Sequence, residues 1–314
     1  MKKSLIALAV LGLSGAALAQ SSVTLYGKAD AGLGKIELGS SPTGGDATNK
    51  TQFISGSTMN AFTSRVGVRG VEDLGGGMKA GYTFETGLDL NNGSATSTEF
   101  WARQANMSLS SDWGTLKLGK QYRPSYLAND LYDLTDQANY SVLGYSYTNN
   151  VRASSAFAYV SPTFNGLTAA AAFVSKNDTG NDKNVWDVAA MYANGPIAAG
   201  VSASKTSHDK TAYQLGGKYD FGSFLLAASY SQAVNGTNDV RRGFGLGGTV
   251  KFGALALTLD LTRDTKNAWI ANGDKYTNGL LEARYKLSKR TYVYAAYLRA
   301  DKTNNYGLGI DHNF

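Results

Sequence analysis

Along most of the chain apolar and polar residues alternate with a period of two. In residues 254–262, Leu255, Leu257, Leu259 and Leu261 fall on one face, and Ala256, Thr258, Asp260 and Thr262 on the other. The end of the chain repeats this, with Tyr306, Leu308, Ile310 and Phe314 set against Asn305, Gly307, Asp311 and Asn313. Residues 213–221 oppose Tyr213, Leu215, Tyr219 and Phe221 to Gln214, Lys218 and Asp220, and residues 23–30 oppose Val23 and Leu25 to Thr24, Tyr26, Lys28 and Asp30. Successive side chains of a strand point to opposite faces, so such stretches predict β-strands with one apolar and one wet side.

The connections between these stretches fall into two classes that alternate. Short turns rich in Gly, Asp, Asn and Pro lie at 72–77, 111–114, 162–166, 194–196, 220–223, 253 and 287–290. Longer polar segments lie at 37–62, 91–98, 123–150, 177–184, 205–211, 235–242, 266–276 and 302–304. Seven short turns and eight long loops join sixteen strands. Short turns on one rim and long loops on the other predict an all-β fold, a sixteen-stranded antiparallel transmembrane β-barrel with short periplasmic turns and long external loops. Tyr26, Tyr82, Tyr192, Tyr219, Tyr285, Trp101, Trp113 and Trp186 fall near predicted strand ends, where interfacial girdles need them.

Residues 1–19 break the pattern. Lys2 and Lys3 precede an apolar stretch that ends in Ala17-Leu18-Ala19, which predicts a cleaved signal peptide, leaving residues 20–314 as a single barrel domain. The apolar run is short and interrupted by Gly12, Ser14 and Gly15, which disfavours a membrane anchor.

Composition narrows the chemistry. There is no cysteine and there are two histidines, His208 and His312, far apart in sequence, so no metal site and no catalytic set is expected. The net charge of +6 becomes +4 without Lys2 and Lys3, with acids and bases interspersed and no basic cluster of a nucleic-acid binder. Gly243-Phe244-Gly245-Leu246-Gly247-Gly248 has dinucleotide-loop spacing, but it lies inside an alternating strand. Gly114 to Lys120 has phosphate-loop spacing, but Gln121 stands where a magnesium-binding hydroxyl is required. No cofactor is expected and no enzyme is read here.

Five segments resemble the general porins of Gram-negative bacteria, closest in style to the neisserial and betaproteobacterial type. They are Ser22 to Lys28, Ser64 to Gly77, Arg103-Gln104-Ala105, Trp113 to Tyr122 and the terminal Gly307 to Phe314, and they span the mature chain. The resemblance implies a homotrimer in outer-membrane lipid and lipopolysaccharide, delivered by the outer-membrane assembly machinery, with Phe314 ending its recognition signal. It also implies that the third long loop, 123–150, folds inward. That loop is long for a structureless connection and carries Asp130, Asp133 and Asp136. In the resemblance, such acids face basic residues on the opposite wall, here Lys28, Arg65, Lys120 and Arg152. Strict alternation places Lys120 with Leu116 and Leu118, towards lipid, whereas the family match turns it inward at a bulge. The function expected is passive diffusion of small hydrophilic solutes and ions, with a modest anion preference. The alternative is a substrate-specific channel for an organic acid, a sugar or phosphate, with Tyr126, Tyr132 and Tyr140 as a candidate aromatic slide.

Overall fold

The structure is a computed structural model that describes residues 22–37, 48–147, 150–178 and 182–314. The predicted signal segment 1–19 lies outside the described residues. Among the described residues, seventeen strands form one antiparallel sheet that closes on itself. In chain order they are β1 (Ser22–Ile36), β2 (Thr48–Ile54), β3 (Arg65–Gly75), β4 (Met78–Gly87), β5 (Gln104–Ser111), β6 (Gly114–Tyr122), β7 (Arg152–Val160), β8 (Leu167–Val174) and β9 (Val185–Asn194). There follow β10 (Ile197–Thr206), β11 (Ala212–Asp220), β12 (Phe224–Val234), β13 (Val240–Phe252), β14 (Leu255–Asn267), β15 (Thr277–Lys286), β16 (Thr291–Ala300) and β17 (Thr303–Asn313).

Closure runs through β1. One edge pairs with β17, from Lys28 with Asn313 to Lys35 with Tyr306. The other edge pairs first with β3, from Ser22 with Val71 to Lys28 with Arg65, and then with β2, from Gly32 with Ile54 to Ile36 with Thr48. β2 and β3 therefore share one position, and the barrel has sixteen. All seven short turns lie on one rim where the alternation predicts them.

The burial pattern is inverted relative to a water-soluble protein. On β14, Leu257, Leu259 and Leu261 stand exposed on the outside while Thr258, Asp260 and Thr262 are buried inside. Val23, Leu25, Phe157, Leu215, Leu246 and Leu308 continue the exposed apolar belt around the barrel. Bilayer hydrocarbon, rather than a core, is what such a surface matches. No helix among the described residues is long and apolar enough to cross a membrane; the strands do so, their backbones paired to neighbours around the closed sheet.

Two loops enter the barrel. The first, over 37–62, reads from the sequence as an exposed connection. Instead Thr48–Ile54 extends the sheet, and Ser57 to Ala61 are buried inside. The buried Asp30 carboxylate draws them in: its Oδ1 accepts from Asn60 Nδ2 at 2.9 Å and Tyr294 Oη at 2.7 Å, and its Oδ2 accepts from the Phe62 amide at 2.8 Å. The third loop forms two short helices, α1 (Pro124–Asp130) and α2 (Val142–Tyr147), both packed on the inner wall. Met59, Ala61, Ala138, Tyr140 and Val142 from the two loops meet Leu280, Tyr294 and Leu298 of the wall in a small internal apolar core. Tyr26 is a further correction: its hydroxyl donates to Glu85 Oε2 at 3.0 Å, so it points into the barrel and not to an interfacial girdle.

Candidate functional site

The third loop is fixed by hydroxyl groups that reach four acids of the wall and its rim, three of them buried. Ser125 of α1 donates to Asp187 on β9 through its amide and its hydroxyl, at 2.7 and 2.6 Å. Tyr140 donates to Glu282 on β15 at 2.5 Å, Tyr147 to Asp264 on β14 at 2.9 Å, and Tyr145 to Asp301 at 2.9 Å. Arg241 braces the far end, with Nε and Nη2 on the two Asp264 oxygens at 3.0 Å each and Nη2 on Asp301 at 2.8 Å. Buried polar atoms are stable only when paired, so each bond that holds the loop also satisfies a wall acid.

Glycines leave room for this packing. A methyl group at Gly216 would lie 2.5 Å from the Tyr132 ring, and one at Gly247 would lie 2.7 Å from Leu134 Cδ1. Gly243 likewise faces the Tyr147 hydroxyl. The Gly243 to Gly248 stretch that mimics a dinucleotide motif is thus part of the wall on which the loop sits, at the close approach that a side chain would block.

With the loop seated, a cavity of about 360 Å³ remains beside it. Arg65, Arg103 and Arg152 line one side, and Asp130 and Asp136 of the loop line the other. The buried Glu85 compensates two of the arginines: Arg103 Nε bonds its Oε1 at 2.7 Å, and Arg65 Nε lies 3.7 Å from its Oε2. Arg152 has no carboxylate partner among the described residues. Its guanidinium covers the Tyr122 ring at 4.6 Å and donates to the Tyr122 hydroxyl at 3.1 Å, and its Nε is buried without a partner. Tyr122 stacks on Tyr126 at 5.1 Å. Asp130 is exposed to cavity water but ringed by wall, which pushes its carboxyl up to about 6; Asp133 and Asp136 add to the rise and Lys218 opposes it.

The residues expected from the sequence are therefore divided. Arg65, Arg152 and Asp130 come together around this cavity. Lys28 lies in the adjoining cavity, 3.2 Å from Asp311, with its Nζ 3.6 Å from the Phe62 ring centroid. Phe62 and Asp136 border both spaces. Asp133 does not face the wall arginines. It is 1% exposed and is spent inside the loop, accepting from the Thr135 amide and hydroxyl at 2.8 and 2.6 Å, the Gln137 amide at 3.2 Å and the Ser141 hydroxyl. Lys120 does not line the cavity either. The pairing of β6 with β7 does shift between Gly119 and Gln121, but Lys120 stays opposite Ala105, on the outer face with Met107, and its Nζ reaches Glu99 at 2.6 Å. Beyond the shift it is Tyr122 that enters the lumen. Tyr132 and Tyr140 are buried as packing, which leaves Tyr126 alone of the expected slide on the cavity.

Arg103, Glu85 and Arg284 do not stand out in the sequence. Arg103 lies in one of the family-like segments, and alternation about Leu281 and Tyr285 puts Glu282, Arg284 and Lys286 on the wet face. Those are the signals that could have found Arg103 and Arg284. Phe314 closes the seam of the barrel, exchanging backbone hydrogen bonds with Gly27 at 3.0 and 3.1 Å, its ring half-exposed on the outer side.

A family profile described as Gram-negative porin matches residues 4–305. The chain is 32% identical to outer membrane porin protein 32 of Delftia acidovorans, over 98% of this chain and 92% of that one. It is 29% identical to an outer membrane porin protein of Bordetella pertussis over the whole of both. Among solved structures, the anion-selective porin from Comamonas acidovorans superposes with a TM-score of 0.73 at 23% identity, covering 94% of this chain and all of that one. The trimer form of OmpT from Vibrio cholerae superposes at 0.68 with 16% identity, covering 94% and 99%.

Proposed function

The chain belongs to the Gram-negative porin family, as a passive outer-membrane channel and not an enzyme, and on that premise we propose that the cavity between the third loop and the arginine wall is its selectivity filter, with a modest preference for anions. The observation that carries this reading is the charge arrangement across the cavity. Three guanidiniums stand beside one buried carboxylate, Glu85, which pairs with two of them and leaves Arg152 uncompensated. Asp130 and Asp136 stand across the cavity, so a field runs from wall to loop. In a narrow lumen walled by low-dielectric material, such a field acts on permeating ions more strongly than in bulk water. Rings of basic side chains select for anions by the sign of the charge. The anion-selective porin from Comamonas acidovorans shares this barrel.

We infer the remaining partners on the same footing. The outer belt of exposed leucine and phenylalanine requires lipid around most of the barrel. Assembly into trimers is supported by the OmpT neighbour in its trimer form. Phe314, at the seam and on the same outer face as Ile310 and Leu308, is the terminal aromatic that we assign to recognition by the assembly machinery.

The filter is tested with the double variant Arg65→Gln/Arg152→Gln. Arg103 is left in place because its removal would strand Glu85 as a buried, unpaired charge. Reversal potentials are measured in planar bilayers under one low-salt gradient. The anion-to-cation permeability ratio should fall by roughly twofold or more, and the difference should shrink near 1 M salt, where the Debye length is about 3 Å. Identical reversal potentials for the two proteins would rule the arginines out as the filter.

A further inference from the structure

Next to the filter, on the rim of short turns, lies a second cavity of about 680 Å³ whose charge the filter does not explain. Five cations line it: Lys28, Arg284, Lys286, Lys289 and Arg290. Two of them are compensated. Lys28 pairs with Asp311 at 3.2 Å, and Arg284 pairs with Glu282 at 2.8 Å and Asp136 at 3.1 Å. The other three are exposed, and none pairs with a carboxylate among the described residues. They come from the end of β15 and from the turn 287–290, so a single short connection brings them together. Tyr292 adds a buried hydroxyl without a partner.

We propose that this mouth is a binding station for a compact multivalent oxyanion of the diphosphate type, which enters or leaves the filter through it. Three uncompensated cations around one turn match several negative oxygens on one small ligand, because each cation supplies charge-assisted hydrogen bonds. A monovalent anion would bring a single charge to the same three cations. The aromatic rings argue for a bare oxyanion over one that carries a planar base. Lys28 Nζ already covers the Phe62 ring at 3.6 Å, and the Arg284 guanidinium covers Tyr292 at 4.7 Å, so neither covered face is free for stacking. Phe62 and Asp136 border both cavities, so an anion bound at the mouth adjoins the arginine wall. Two anion stations in series allow one ion to displace the next, which keeps conduction possible despite binding.

The test is block of the chloride current by sodium pyrophosphate, added to both sides of a planar bilayer that carries the full-length mature channel. Wild type should be blocked in a concentration-dependent manner. The triple variant Lys286→Gln/Lys289→Gln/Arg290→Gln should need roughly tenfold more pyrophosphate for half-block, equivalent to about 1.4 kcal/mol. Arg65→Gln/Arg152→Gln, which alters only the adjoining station, should weaken the block less than the triple variant does. If the triple variant does not assemble, Lys286→Gln and Lys289→Gln are read singly, and each should weaken the block. Unaltered block in the turn variants, no block in wild type, or loss of block in the filter variant instead, would each overturn the proposal. Reversal potential reports the filter and pyrophosphate block reports the mouth, so failure of one assignment is distinguishable from failure of the other.

Discussion

At the scale of single residues, Asp130 is a titratable acid on the cavity that we propose as the filter. Crowding by the wall, with added repulsion from Asp133 and Asp136, raises its carboxyl to about 6. A raised carboxylate pKa means that the charged form is disfavoured, so Asp130 takes up its proton as pH falls through about 6. The cavity then loses a negative charge while Arg65, Arg103 and Arg152 keep theirs. Anion preference should therefore rise between pH 7 and pH 5, and Asp130→Asn should show the low-pH preference at both. Reversal potentials across that range decide it; a variant that retains the wild-type pH response would place the titrating group elsewhere. Arg152 illustrates the same scale from the basic side: it is held through Tyr122 and, of the three wall guanidiniums, is the one without a carboxylate partner among the described residues.

At the scale of elements, the third loop is a packed structure whose acids have different jobs. Asp130 and Asp136 face the cavity, whereas Asp133 organises the loop by accepting from Thr135, Gln137 and Ser141. Replacing it with alanine removes those acceptors and leaves buried donors unsatisfied, at a cost of about 1–3 kcal/mol each where water cannot reach. Asp133→Ala should therefore increase open-channel noise and lower the temperature at which the trace becomes unstable, while the reversal potential stays near wild type. A shifted reversal potential with a quiet trace would mean that Asp133 does belong to the filter. The wall strands take part in the same element-level fit: Gly216 and Gly247 keep the space that Tyr132 and Leu134 occupy, and Asp187, Asp264 and Glu282 receive the loop's hydroxyls.

For the whole molecule, closure runs along the last strand, and we propose that assembly depends on the same segment. β1 pairs along β17, and the last residue, Phe314, completes the seam with two backbone hydrogen bonds to Gly27. An unclosed sheet would leave an unpaired edge in hydrocarbon, where each unsatisfied backbone group is costly. Deletion of Phe314 should lower the yield of folded, heat-modifiable protein on semi-native gels of outer-membrane fractions. The wild-type band should migrate as a trimer and convert to monomer on heating. A normal yield of the deletion would remove the assembly role from Phe314, and a wild-type band that runs as a monomer in mild detergent would refute the trimer.

Local period and local turn chemistry are properties of consecutive residues, and what depends on them was legible in the chain. The alternation about Leu257, Leu259 and Leu261 names the lipid face of β14 because neighbouring side chains must point to opposite sides. The seven Gly-, Asp- and Pro-rich turns mark one rim for the same local reason, and Arg65 reads as wet from its own strand. Tertiary structure decided the rest, because it rests on pairs far apart in sequence. Nothing near Asp133 indicates that the loop folds back on it, and nothing near Lys120 indicates that Glu99 waits on the outer side. The 48–62 segment reads as polar loop, yet Asp30 and Tyr294 hold part of it inside. The filter's charge balance is likewise a matter of which guanidinium meets Glu85 once β3, β4 and β5 stand side by side. A period of two states which way a side chain points; only the closed barrel with its two inward loops determines what it meets there.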